Sequence, residues 1–213
     1  MGPDTTVIGL QNGVEAHDII GGILGPERVM GGTIYIAAVI AEPGLIRQTG
    51  TFAKTIFGEI DGRPSERGAA IEAVCKAAGL DATFSDSVLT DIWMKFVILV
   101  ALSGVTTATR KPLGLLRADP DTRALLQNAI DEAVTVGRAA GVSLPEDAVA
   151  RQMAALDGFP TDMVASMLHD LNAGKPMELD YLSGAVGRLG RQFGVATPVH
   201  DTLYATLKPY KDG

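Results

Sequence analysis

The sequence predicts an α/β part over residues 1–86 followed by an all-α part over residues 87–213. Three observations carry this reading. Up to Asp86 the apolar runs are short, rich in β-branched residues and broken by Gly and Pro. After Asp86 they lengthen and step by three and four, as one face of a helix does. Gly and Pro then fall at the ends of these periodic runs.

In chain order, Val7-Ile8-Gly9-Leu10 reads as a buried strand. Residues 14–24 form a helix stopped by Gly25-Pro26. Residues 29–40, rich in Ile, Val, Thr and Tyr, form a strand. Residues 44–48 and 51–60 pair around Gly50, and residues 64–78 make a helix with Pro near its start and Gly79 past its end. Residues 82–85 add a short strand. The helical part opens with a long apolar helix over 87–105. A second covers 122–140, with Asp119 or Asp121 as its cap and Gly141 as its stop. Helices over 145–156 and 162–172 follow. Leu179, Leu182, Val186, Leu189 and Phe193 then place one buried stripe on a single helix over 178–193. Residues 198–207 close the chain.

At 213 residues, the length suits one large domain or two small ones. A composition 46% hydrophobic and 20% charged excludes general disorder. The net charge of −7, without a block of like charge, speaks against nucleic acid as a partner, although a local basic site for a small anion stays open. Cys75 is the only cysteine, so there is no intrachain disulfide, as expected of a reducing compartment. Met1 is followed by a Gly2-Pro3-Asp4 turn rather than a basic segment and an apolar core. The longest apolar run, residues 96–102, is too short to span a bilayer. A cytoplasmic protein without a membrane partner is expected.

Lys95 lies in Ile92-Trp93-Met94-Lys95-Phe96-Val97, apolar around the whole helix. Such an ammonium is either a snorkelling stem or a desolvated acid–base group. Glu178 sits in a first helical turn, where a carboxylate suits the macrodipole as well as it suits chemistry. Asn12 in Gln11-Asn12-Gly13 reads first as a turn, yet a strand end facing a helix start is where α/β sheets hold ligands. Ser166 reads as a mid-helix serine, and no GxSxG elbow surrounds it despite the nearby His169. His17 and His200 read as structural, and no metal is expected. No GxGxxG follows any predicted strand.

Taken in order, Leu10-Gln11-Asn12-Gly13, Trp93-Met94-Lys95-Phe96, Ala165-Ser166-Met167-Leu168-His169-Asp170, Met177-Glu178-Leu179-Asp180-Tyr181-Leu182-Ser183-Gly184 and Gly194-Val195-Ala196-Thr197-Pro198 resemble the ketopantoate reductases (2-dehydropantoate 2-reductases). The resemblance implies a Rossmann-type domain that binds NADPH. An all-α domain, like the C-terminal domain of 6-phosphogluconate dehydrogenase, closes over the substrate, with a cleft between the two. Residues 1–86 would be the C-terminal portion of the first and residues 87–213 the second. The earlier βαβ units and their glycine fingerprint are missing; a fragment, a mis-called start and a shortened paralogue all fit.

By the same resemblance, Lys95 protonates the ketone oxygen of a small-molecule 2-oxo acid and Glu178 orients its hydroxyl groups. Ser166 holds its carboxylate. Asn12 lies near nicotinamide, substrate and lysine, and Ser103 counts as substrate-binding. Family members often carry asparagines where this chain has Leu99, Ser103 and Leu113, and histidine at Gln48. A pocket that loses such amides suits a less polar 2-oxo acid than 2-dehydropantoate. A truncated helical oligomerisation or ligand-binding module without catalysis is the rival reading. The β-hydroxyacid dehydrogenases share the two-domain plan but fit the Ser166 and Glu178 spacing less well. Loss of the earlier units would leave sheet edge and apolar surface, which favours a homo-oligomer.

Overall fold

The computed structural model describes Gly2 and residues 5–213. The expected turn through Pro3 and Asp4 lies outside the described residues. The chain divides into two compact units, Met1–Gln11 with Glu15–Ile92, and Asn12–Val14 with Trp93–Gly213.

The first unit is built on a four-stranded sheet in the order β1-β2-β3-β4, with helices between its strands. Strand β1 (Val7–Ile8) is shorter than expected, and both its residues are only half-buried. It runs parallel to β2 (Val29–Glu42) through the helix α1 (Ala16–Leu24). Gly25 at φ +94° ends α1, as its lack of a Cβ allows. β2 pairs antiparallel with β3 (Leu45–Gly58) as one long hairpin turning at Pro43-Gly44. The expected pair of strands around Gly50 is therefore a single strand. Gly50, at φ +90°, sits in an irregularity between the Ile36–Ala53 and Ala38–Gln48 pairs, so it marks a bulge rather than a turn.

Helix α2 (Glu66–Ala77) starts at Ser65, whose hydroxyl accepts from Gly68 N–H, and leads to β4 (Asp81–Phe84), parallel to β3. A Cβ at Gly68 would lie 2.3 Å from the Phe84 ring, so glycine lets Phe84 press on α2 and stack with Phe57 at 5.9 Å. Met30, Phe57 and Ala82 form the core of this unit.

The second unit is helical. Helix α3 (Val88–Thr109) begins in the first unit and belongs to the second from Trp93 onward. It is long and apolar enough to cross a bilayer, and most of that stretch is buried inside the protein. A short helix α4 (Leu113–Ala118), absent from the sequence reading, follows. Its first N–H groups, on Leu113 and Gly114, donate to the carbonyls of Met163 and Thr161. That pairing holds residues 161–163 in an irregular stretch, so the helix expected over 162–172 starts late and α7 runs only Ser166–Asn172. Helix α5 (Pro120–Ala139) is capped by Asp119, which accepts from Asp121 and Thr122 N–H, and α6 spans Ala148–Gly158.

The single helix expected over 178–193 is two elements. Glu178–Tyr181 is a 3-10 turn, Leu182 breaks the backbone at φ −106° and ψ −103°, and α8 covers Ser183–Phe193. Leu179, Leu182 and Val186 are buried as the stripe required, but Phe193 is exposed. Helix α9 (Pro198–Leu207) takes its cap from α5, where the Glu132 carboxylate accepts from Val199 and His200 N–H at 2.8 and 3.0 Å.

Candidate active site in the helical unit

Asn12, Lys95 and Glu178 meet within the second unit. The Lys95 ammonium donates to Asn12 Oδ1 at 2.9 Å, and Asn12 Nδ2 donates to Glu178 Oε2 at 2.9 Å. An ammonium only donates and a carboxylate only accepts, so these partners fix which way the Asn12 amide points. They are 83 and 166 residues from Asn12 in sequence.

Each member is set by local structure. Lys95 is half-buried on α3 between Trp93 and Phe96, which are 4% and 1% exposed and meet edge-to-face at 5.4 Å. Trp93 is seated against α5, where a Cβ on Gly137 would come within 2.7 Å of its ring. Gln152 of α6 donates to the Met94 carbonyl at 2.8 Å and pins the same turn. Asn12 leads into Gly13 at φ +110°, where a Cβ would stand 3.3 Å from the Tyr181 carbonyl oxygen. Glycine thus lets the Asn12 turn lie close against the turn that carries Glu178. Leu179, fully buried, anchors that second turn, while Glu178 itself is exposed. The carboxylate therefore belongs to a 3-10 turn, not to the first turn of α8.

Burial pushes the Lys95 ammonium below the ordinary lysine pKa, and the Glu178 carboxylate pulls it partly back. A lysine so tuned gives up its proton more readily than one in water, while its acceptor Asn12 keeps it oriented.

Two residues from the sequence reading stand apart from this chain. Ser166 is exposed as the first residue of α7, not in mid-helix, and takes no part in the Lys95–Asn12–Glu178 hydrogen bonds. Ser103 is 1% exposed, and its Oγ, like Thr107 Oγ1, has no hydrogen-bond partner. Expected to touch substrate, Ser103 is instead sealed among the buried residues 101–107 of α3. Leu99, one turn beyond Lys95 and on its face, is half-buried, and Leu113 is fully buried.

His200 is fully buried. Its Nε2–H donates to the Ala129 carbonyl at 2.9 Å, and Nδ1 lies 3.4 Å from Ser183 Oγ. Burial lowers its pKa to about 4, so it stays neutral near pH 7. Asp180, which sequence reasoning does not single out, accepts from both Tyr204 and Lys211 beside Glu178. Asp180 lies two residues after Glu178, and that second acid was the available signal.

The first unit holds a cavity of about 800 Å³ lined in part by His17, Asp18, Glu59, Arg63 and Arg67. It shares no residue with the Lys95 chain. Its arginines are already paired, Arg67 with Glu59 and Arg63 with Asp61. Among the described residues, no cluster of His, Cys, Asp or Glu could hold a metal ion.

For a nicotinamide cofactor the residues fit the reacting end only. Asn12 is half-buried, and among the described residues no hydrogen bond uses its second Nδ2 hydrogen, a donor suited to an amide or carbonyl oxygen. Beyond β1 the chain has Gln11-Asn12-Gly13 and no glycine-rich turn to receive a pyrophosphate.

Residues 87–211 match the family model described as "Ketopantoate reductase PanE/ApbA C terminal", and residues 1–62 match "Ketopantoate reductase PanE/ApbA". A 2-dehydropantoate 2-reductase of Mesorhizobium japonicum is 32% identical over 228 residues, covering 98% of this chain and 69% of the relative. An uncharacterized oxidoreductase of Bacillus subtilis is 28% identical over 208 residues, covering 98% of this chain and 69% of the relative. A PanE/ApbA family ketopantoate reductase structure from Ralstonia eutropha superposes with a TM-score of 0.88 at 29% identity, covering 99% of this chain and 68% of that one. The chain thus spans about two thirds of the length of the proteins it matches.

Proposed function

The chain belongs to the ketopantoate reductase family, with that family's Rossmann-like sheet and helical C-terminal part, and on this premise we propose that it reduces a 2-oxo acid to a 2-hydroxy acid with NADPH. The substrate nearest to hand is 2-dehydropantoate, whose reduction to pantoate serves pantothenate biosynthesis. Residues 1–86 are read as the C-terminal portion of the NADPH-binding domain and residues 87–213 as the substrate and catalytic domain. A cytoplasmic setting fits the lone free Cys75.

The observation that carries the proposal is the Lys95–Asn12–Glu178 hydrogen-bonded chain. When bound, the reduced nicotinamide supplies the hydride. Lys95 Nζ holds the proton that goes to the ketone oxygen, and its positive charge stabilises the alkoxide as it forms. Asn12 Oδ1 holds the ammonium in one orientation. Glu178, exposed beyond Asn12, fixes the amide and offers Oε1 to a substrate hydroxyl. Ser166, exposed at the start of α7, is available to the substrate carboxylate.

A second reading, a less polar 2-oxo acid, is favoured by Leu99. It presents a half-exposed apolar side chain one turn from the ammonium, while Ser103 and Leu113 are shut inside. A substrate side chain lying along α3 would meet hydrocarbon rather than an amide.

The test is Lys95→Ala, assayed by loss of nicotinamide absorbance with 2-dehydropantoate and with unhydroxylated 2-oxo acids. The turnover number should fall by about 10²–10⁴, the usual worth of a positioned general acid, with the circular dichroism unchanged. Full activity in the variant removes Lys95 from the mechanism. Failure of the chain to bind NADPH, read by nicotinamide fluorescence, favours the non-catalytic module instead. As partner, a second copy is proposed, because Val39, Ile40, Ile46 and Phe52 are 53–74% exposed on the β2–β3 ribbon. Light scattering should return an oligomer, and a monomer removes this part.

A further inference from the structure

The turn that carries Glu178 is gripped on both sides by one other residue. Just before it, Met177 N–H donates to the Lys211 carbonyl at 2.8 Å. Two residues after it, Asp180 accepts Tyr204 Oη–H on one oxygen and Lys211 Nζ on the other, each at 2.8 Å. Lys211 therefore binds the turn with main chain and side chain at once. It follows the 3-10 turn Lys208–Tyr210, and Lys208 stacks its ammonium over the Tyr204 ring at 5.7 Å. The same segment lies against the 174 loop, where a Cβ on Gly213 would stand 2.5 Å from the Gly174 carbonyl oxygen.

Besides this grip, Leu182 N–H donates to the Glu178 carbonyl at 3.1 Å, and Asn12 donates to the carboxylate. A four-residue 3-10 turn has few internal hydrogen bonds of good geometry. The break at Leu182 means that α8 does not simply continue it. Leu179, fully buried, anchors the middle of the turn. The Asp180 carboxyl is held below the usual carboxylate range by its bonds from Lys211 and Tyr204, so the grip is ionic near pH 7.

We infer that Asp180 and Lys211 are positioning residues that hold Glu178 within reach of Asn12 and so keep the Lys95–Asn12–Glu178 chain assembled. This rests on the reading of that chain as the reactive centre. Neither residue belongs to the chain itself. Both act through the turn, one on each side of the glutamate.

The experiment is an NMR titration of the Lys95 ammonium in the full 213-residue chain labelled with ¹³C-lysine, the signal being assigned by its loss in Lys95→Arg. In Lys211→Met the Lys95 midpoint should move further down, because the carboxylate that pulls it up is no longer held nearby. Lys211→Arg, which keeps the charge, should restore the midpoint of the unmodified chain. A Lys211→Met protein that melts earlier yet keeps the Lys95 midpoint overturns the inference, since a merely structural contact would behave so. If Lys211→Met does not fold, Tyr204→Phe removes one bond to Asp180 and leaves the ion pair. A smaller downward move then supports the inference and an unmoved midpoint overturns it. The titration needs no turnover, so an unmodified chain that reduces nothing counts against the proposed activity alone.

Discussion

The two units bury their apolar residues to very different degrees. In the helical unit Val97, Val100, Ala101, Val105, Leu113, Leu126 and Ile130 are all 0% exposed. In the α/β unit a small core of Met30, Phe57 and Ala82 sits near one end of two long strands. The far half of the same ribbon leaves Ile40 and Ile46, which pair across the strands, 74% and 65% exposed. The polar chain is assembled on the dense side. Only Asn12–Val14 joins the helical unit from the sequence around α1. An ammonium and an amide need fixed geometry to act on a substrate atom, and close-packed helices supply it where a two-stranded ribbon does not.

The sharpest way to break this contrast is Leu126→Ala. Truncating a fully buried leucine should cost about 2–5 kcal/mol in denaturant unfolding. A loss under about 1 kcal/mol would mean that the helical core collapses around the gap and is less rigid than it looks. The next effect concerns pH. Because the folded pKa of His200 is lowered to about 4, the unfolded chain binds a proton there between about pH 6.5 and 4 that the folded chain does not. Stability should therefore be unaffected by this group above pH 6.5 and fall through that window, by on the order of 3 kcal/mol at its foot. Thermal melts against pH should show the slope, and His200→Gln should flatten it. The smallest effect belongs to the ribbon of the dissociated chain, where Ile40→Ser, measured at a dilution at which light scattering returns a monomer, should stay within about 0.5 kcal/mol of the unmodified chain. A larger loss that appears only at concentrations where the oligomer forms would mark this ribbon as the face the second copy covers.

Much of the architecture was legible in the residues, because caps and breakers act locally. Asp119, Gly25, Gly79 and Gly141 mark helix ends where the structure has them. The failures have equally local causes. Gly50 reads as a turn because glycine serves bulges and turns alike, whereas it is the Pro43-Gly44 dipeptide that turns the chain. The stripe through Leu179, Leu182 and Val186 stepped by three and four across a break, since a 3-10 turn repeats every three residues and imitates the helical period. Helix α4 is too short for periodicity to show, and its start depends on carbonyls some fifty residues away. Lys95, Asn12 and Glu178 could each be singled out by type and setting. Their meeting is implied by the family resemblance alone, because hydrogen bonds spanning 83 and 166 residues leave no trace in spacing.

Ser103 and Thr107, four residues apart on α3, are shut away from water with hydroxyls that bond to nothing. An unsatisfied donor in a dry interior costs about 1–3 kcal/mol. The helix that bears the ammonium thus carries two oxygen atoms it would be steadier without. Erasing them, as Ser103→Ala and Thr107→Val would, offers a route to a more heat-resistant protein that leaves the Lys95–Asn12 bond in place.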